Sequence, residues 1–162
     1  MLDEQAQQEA NRTYMLVLMI WGSMIFSVLM YVAISFVLTQ NKKPVENSSI
    51  PMMRNIFMAL SFSGAGAAYF IKQALLKRIT SRPGAANAVA LAAQYQTAGI
   101  VTFALSEACA VYGFVLVFLS NSMKEIFPFT GISLFCFMIF FPRKAELETL
   151  LMENLRLPKR KY

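Results

Sequence analysis

The chain has 162 residues, 57% of them hydrophobic and 15% charged, with a formal net charge of +6. Soluble domains carry roughly 45–50% apolar and about 25% charged residues, so this composition excludes a disordered regulator and speaks against a soluble enzyme. It points instead to an all-α, polytopic membrane protein built as a single membrane domain.

Residues 14–39 form an uncharged run of 26 residues, long enough to cross a bilayer with some tilt. The segment before it holds Asp3, Glu4 and Glu9 against Arg12, and no small-residue cleavage site follows. It therefore reads as a retained first span rather than a signal peptide. A second span is predicted over 54–79, uncharged from 55 to 71, with Lys72 expected to snorkel towards water. The third, 85–120, is apolar or neutral apart from Glu107. It exceeds a ~30 Å hydrocarbon core, so its first turns, with Asn87, Gln94 and Gln96, are expected among the headgroups. The fourth, 126–141, is short and framed by Pro128 and Pro142. In the tail, 143–162, Leu147, Leu150, Leu151 and Leu155 recur at helical spacing. This predicts an amphipathic helix that lies on the membrane or packs on a neighbour, followed by Lys159, Arg160 and Lys161, a stretch suited to anionic lipid.

Four spans place the N-terminus, the middle turn and the C-terminus on one side. That side carries 11 of the 15 basic residues, among them Arg12, Lys77, Arg78, Arg82, Arg143 and Arg156, whereas the other holds only Lys42, Lys43, Arg54 and Lys124. By the positive-inside rule both termini are cytoplasmic, as in a bacterial inner membrane or its equivalent. The same rule accounts for the net charge without a nucleic-acid partner.

The chain has no histidine, and its two cysteines, Cys109 and Cys136, fall inside predicted spans as small apolar fillers. The common general base, the Ser–His nucleophile and the usual zinc sites are thereby removed, and no glycine-rich phosphate loop is present. The expectation is a protein that is not an enzyme, with no catalytic residue, metal or cofactor.

Glu107 is the one charge-capable residue well inside a span. An ionised carboxylate there costs several kcal/mol, so it is expected to rest protonated and to exchange its proton when its surroundings change. A hairpin turning near Arg82 and Pro83 sets residues 58–61 opposite Glu107, making Ser61 or Ser63 the candidate hydrogen-bond donor, with Ser106 beside them. Ser63-Gly64-Ala65-Gly66-Ala67-Ala68 in span two, and Ala104, Ala108 and Gly113 in span three, are small residues that let helix backbones approach closely.

The segment Ala104-Leu105-Ser106-Glu107-Ala108-Cys109-Ala110-Val111-Tyr112-Gly113 resembles the proteolipid family of rotary ATPases, subunit c and its vacuolar and archaeal relatives. The likeness covers about residues 55–120, a central subunit-c-like helical hairpin, with one additional span on either side. It implies that Glu107 is the ion-carrying carboxylate and that the chain assembles into a homo-oligomeric ring. It also implies that Arg82 and Pro83, within the 77–84 loop, face a soluble stalk or other cytoplasmic partner. A neighbouring membrane subunit would supply a basic residue while Glu107 is ionised. Proton is favoured over Na⁺, because only Ser61, Ser63, Thr102 and Ser106 offer further oxygen ligands nearby. The alternative is a non-conducting scaffold tetraspan that reuses the hairpin for packing, with Glu107 as a hydrogen-bonding group.

Overall fold

A computed structural model describes residues 4–45, 49–80 and 88–156. The Arg82–Pro83 turn and the basic stretch from Lys159 to Lys161 lie outside the described residues. The described chain is all-α, in five helices: α1 (Glu4–Thr39), α2 (Ser49–Thr80), α3 (Ala88–Ser120), α4 (Ile126–Ile139) and α5 (Lys144–Arg156), with one 3₁₀ turn, Met123–Glu125, before α4.

Side-chain pairs fix the directions of the helices. Ser27 against Glu107 and Tyr31 against Phe114 make α1 parallel to α3. Phe57 stacks on Tyr112 with ring centroids 5.2 Å apart, and Cys109 Sγ lies 3.6 Å from the Ser61 carbonyl, so α2 runs antiparallel to α3. Contacts of Phe129 with Gly113 and of Phe137 with Phe103 make α4 antiparallel to α3 as well. The result is an up-down-up-down bundle in which α3 packs against each of the other long helices.

Among the described residues two helices are long and apolar enough to cross a membrane alone: α1 over Gln7–Thr39 and α3 over Val89–Ser120. A third crossing is added if Met123–Ile139 and Lys144–Met152, bent by 43°, are taken as one. By length and composition these helices point to an integral membrane protein. Two or three of the four expected spans are thus recovered by length and apolarity. α2 has the length, 32 residues, but its Ser63–Ala68 run of small residues and its cations at Arg54 and Lys72 lower its apolarity. α4 has only 14 residues, roughly 21 Å of rise, and its helix stops before Pro142.

Both ends of the bundle are tied. At one end α3 closes on Asn121, whose φ of 50° is a left-handed conformation that asparagine tolerates. There Val45 N–H donates to the Ser120 carbonyl at 2.8 Å, satisfying one of the orphan acceptors of a helix terminus. At the opposite end α5 packs back on the bundle, burying Leu147 and Leu151 in a cluster with Ala10, Leu91 and Tyr95. Of the two expectations for the amphipathic tail, packing on a neighbour is the one realised, and the neighbour is the chain itself. Lys72 does not simply snorkel: its Nζ lies 3.2 Å from Glu146 Oε2 of α5, with the lysine side chain 18% exposed. Tyr95 OH donates to the same carboxylate oxygen at 3.4 Å.

Candidate functional site

α3 carries Glu107 within one turn of the midpoint of its apolar stretch. Its neighbours on the helix leave the carboxyl free to turn outward. Thr102 Oγ1 donates to the Ala98 carbonyl at 2.7 Å and Ser106 Oγ to the Thr102 carbonyl at 2.9 Å, both back-bonds along α3 itself. Cys109, two residues on and therefore on another face, meets α2.

The half-buried Glu107 reaches across to α1. Ser27 Oγ donates to Oε1 at 2.6 Å, and Tyr31 OH donates to the same oxygen at 3.0 Å. Ser27 and Tyr31 are four residues apart, hence stacked on one helix face. The Tyr31 ring is held against Phe114, two turns along α3 from Glu107, with centroids 5.5 Å apart. Both distances lie in the ordinary O–H···O range.

This geometry serves either protonation state. A carboxylate accepts both hydroxyls; a carboxylic acid accepts them on its carbonyl oxygen and keeps its proton on Oε2. Among the described residues no lysine or arginine forms an ion pair with Glu107. No group of three or more His, Cys, Asp or Glu side chains suited to a metal is found among them either.

The donors expected from the sequence are not the donors found. Ser63 Oγ bonds the Leu60 carbonyl at 3.0 Å, Ser106 bonds Thr102, and Ser61, fully buried, leaves its Oγ without a hydrogen-bond partner. The hairpin register is shifted slightly from the expected one, since Ser61 meets Cys109 rather than Glu107. The decisive difference is rotational: Glu107 lies on the α1 face of α3. The missed residues carry a signal in the sequence, because Ser23, Ser27, Tyr31, Ser35 and Thr39 place a hydroxyl at every fourth position of α1.

The small residues also divide. A Cβ added to Gly113 would lie 2.7 Å from Phe129 Cβ and 3.3 Å from the Ile126 carbonyl, so Gly113 permits the close approach of α4. A Cβ on Gly64 or Gly66 would meet nothing within 4 Å, so neither is needed for a close approach among the described residues. Ala108 is half-buried and Ala104 exposed.

No protein-family model, curated protein or solved structure matches the chain.

Proposed function

We propose that this chain is a proton-binding subunit of an integral-membrane complex, with Glu107 as the group that takes up and releases the proton. The observation that carries this reading is the two hydroxyls, Ser27 Oγ at 2.6 Å and Tyr31 OH at 3.0 Å, converging on one oxygen of an intramembrane carboxyl. Ionisable groups at that depth are costly, and those that persist commonly mark ion pathways. A donor set of two hydroxyls, with no second acid, suits a proton better than Na⁺, which needs several oxygen ligands.

In this proposal all four long helices cross the membrane, and the end where α1 begins and α5 docks is cytoplasmic. The 11-to-4 distribution of basic residues supports that orientation. The likeness of the α2–α3 hairpin to rotary-ATPase proteolipids supports assembly into a ring. Gly64 and Gly66, where an added Cβ would meet nothing within 4 Å, offer α2 a surface for a second copy. The basic partner for ionised Glu107 then belongs to another membrane subunit. The 77–84 loop would meet a cytoplasmic partner, and the basic tail would meet anionic lipid.

One observation favours a second reading. Both donors to Glu107 come from α1 of the same chain, so the carboxyl also acts as a hydrogen-bonded clasp between α1 and α3, as a non-conducting scaffold would require. Carbodiimide labelling of Glu107 in the full-length protein in lipid separates the two. Labelling that declines as pH rises supports proton binding, and protection by Na⁺ would identify Na⁺ as the ion instead. Labelling that ignores both pH and Na⁺ leaves the clasp.

A further inference from the structure

At the end of the bundle where α5 docks, α4 stops short. Its 14 residues rise roughly 21 Å, against a hydrocarbon layer of about 30 Å, and the chain then bends by 43° into α5. Where α4 crosses the membrane, this bend is recessed below the level that a full-length span would reach. A groove of about 540 Å³ opens there between α2, α4 and α5, a size that suits a small ligand. One wall is apolar, formed by the exposed Ile139 and Phe141, and the exposed strip continues along α4 through Met138 and Phe135. The other wall is polar, with Lys72, Arg143, Glu146 and Thr149.

The groove therefore holds two cations against one carboxylate. Glu146 Oε2 already receives Lys72 Nζ at 3.2 Å and Tyr95 OH at 3.4 Å, so that carboxylate is engaged. Thr149 Oγ1 donates to the Ala145 carbonyl at 2.8 Å. Arg143 is exposed and forms no ion pair among the described residues. Its carbonyl accepts from Glu146 N–H at 3.1 Å and from Tyr95 OH at 3.5 Å, so the backbone is fixed while the guanidinium has no carboxylate. A guanidinium beside hydrocarbon is costly without an anion, and its fork of N–H donors matches two oxygens of a phosphate.

We propose that this groove binds an anionic glycerophospholipid of the leaflet on the α5 side, with its phosphate at Arg143 and Lys72 and an acyl chain along Ile139, Met138 and Phe135. The layering singles out a lipid, because cations followed by an exposed apolar strip match the order in which a phospholipid presents phosphate and chain. A soluble phosphate would leave the strip uncovered. A zwitterionic lipid brings its own cation to a site where Lys72 and Arg143 already outnumber Glu146. The site is separate from the basic stretch 159–161. It needs the membrane placement of the proposed function but not the proton on Glu107. A lipid held there touches α2, α4 and α5 at once and adds to the docking of α5.

Trp21, the one tryptophan of the chain, reports on the groove, because its ring lies edge-on to Phe141 at 5.0 Å. The full chain is reconstituted in vesicles of phosphatidylcholine and phosphatidylglycerol in equal parts, with bromine on the acyl chains of one lipid or the other. Quenching of Trp21 fluorescence then gives the association of each lipid at constant surface charge. The preference for phosphatidylglycerol is expected to be about fivefold, to fall to about one in Arg143→Gln, and to be unchanged in Lys43→Gln at the other end of the bundle. Arg143→Gln keeps the Tyr95 contact, which is to the backbone. Glycerol phosphate in solution, which has the phosphate without the chains, should leave the quenching as it is. Equal quenching by the two lipids, as when a protein segment fills the groove, overturns the lipid site and leaves the proton-binding reading standing. So does a preference that survives Arg143→Gln, or relief of quenching by glycerol phosphate. Quenching by neither lipid contradicts the membrane placement on which both rest.

Discussion

At the scale of single residues, the carboxyl of Glu107 is defined by what donates to it. Tyr31 and Ser27 both address Oε1, so removing one weakens the clasp without emptying it. Tyr31→Phe removes a neutral hydrogen bond, a loss of about 1 kcal/mol, and is expected to speed carbodiimide labelling of Glu107 at fixed pH by about fivefold. An unchanged rate in that variant would mean the tyrosine bond has no influence on the carboxyl. The acid itself was legible in the sequence, since a charge-capable side chain in an apolar run stands out by composition. Its partners were not. Hydropathy locates a residue by depth, but rotation about the helix axis decides which neighbour it meets. Glu107 and Cys109 are two residues apart and face different helices.

At the scale of elements, small residues have two uses that sequence alone does not separate. Gly113 accommodates Phe129, and Gly113→Ala forces a backbone-proximal contact apart; it is expected to destabilise the detergent-solubilised protein by about 1–3 kcal/mol in thermal unfolding. Gly66→Ala meets no such obstacle and should stabilise α2 by roughly 0.5–1 kcal/mol through reduced chain entropy. Equal effects of the two variants would contradict the packing described. The docking of α5 depends on a polar contact as well as on Leu147 and Leu151. Lys72→Met leaves Glu146 without its ammonium, a charged hydrogen bond worth about 1.5–3 kcal/mol. Hydrogen exchange of the amides around Leu147–Leu151 should quicken accordingly, while the middle of α3 keeps its protection. The leucine spacing of α5 announced an amphipathic helix, yet that pattern is the same for a helix on lipid and one on a bundle. The Lys72–Glu146 pair joins residues 74 positions apart, a relation no local pattern encodes.

At the scale of the whole molecule, the membrane class was readable from composition, because apolar excess has few other uses in a chain of this length. Length and apolarity alone recover two or three crossings, because α2 and α4 trade apolarity or length for packing. α2 exchanges large side chains for glycine and alanine, and α4 breaks at 140–142 into the bent connection to α5. The up-down-up-down arrangement sets the α1 start and α5 at one end and the Lys42–Val45 segment at the other. With all four helices crossing, Lys42 and Lys43 should be modified by an impermeant amine reagent from outside cells, and Lys144, exposed at the start of α5, only after permeabilisation. The reverse pattern would invert the proposed orientation.

The central claim, that Glu107 exchanges a proton, is tested most directly by infrared difference spectroscopy of the full-length protein in lipid across a pH step. The account predicts a protonated-carboxyl stretch that fades as pH rises, is perturbed by Tyr31→Phe and is absent in Glu107→Gln. A carboxyl band that persists unchanged across the step, or a pH-dependent one that survives in Glu107→Gln, would contradict it.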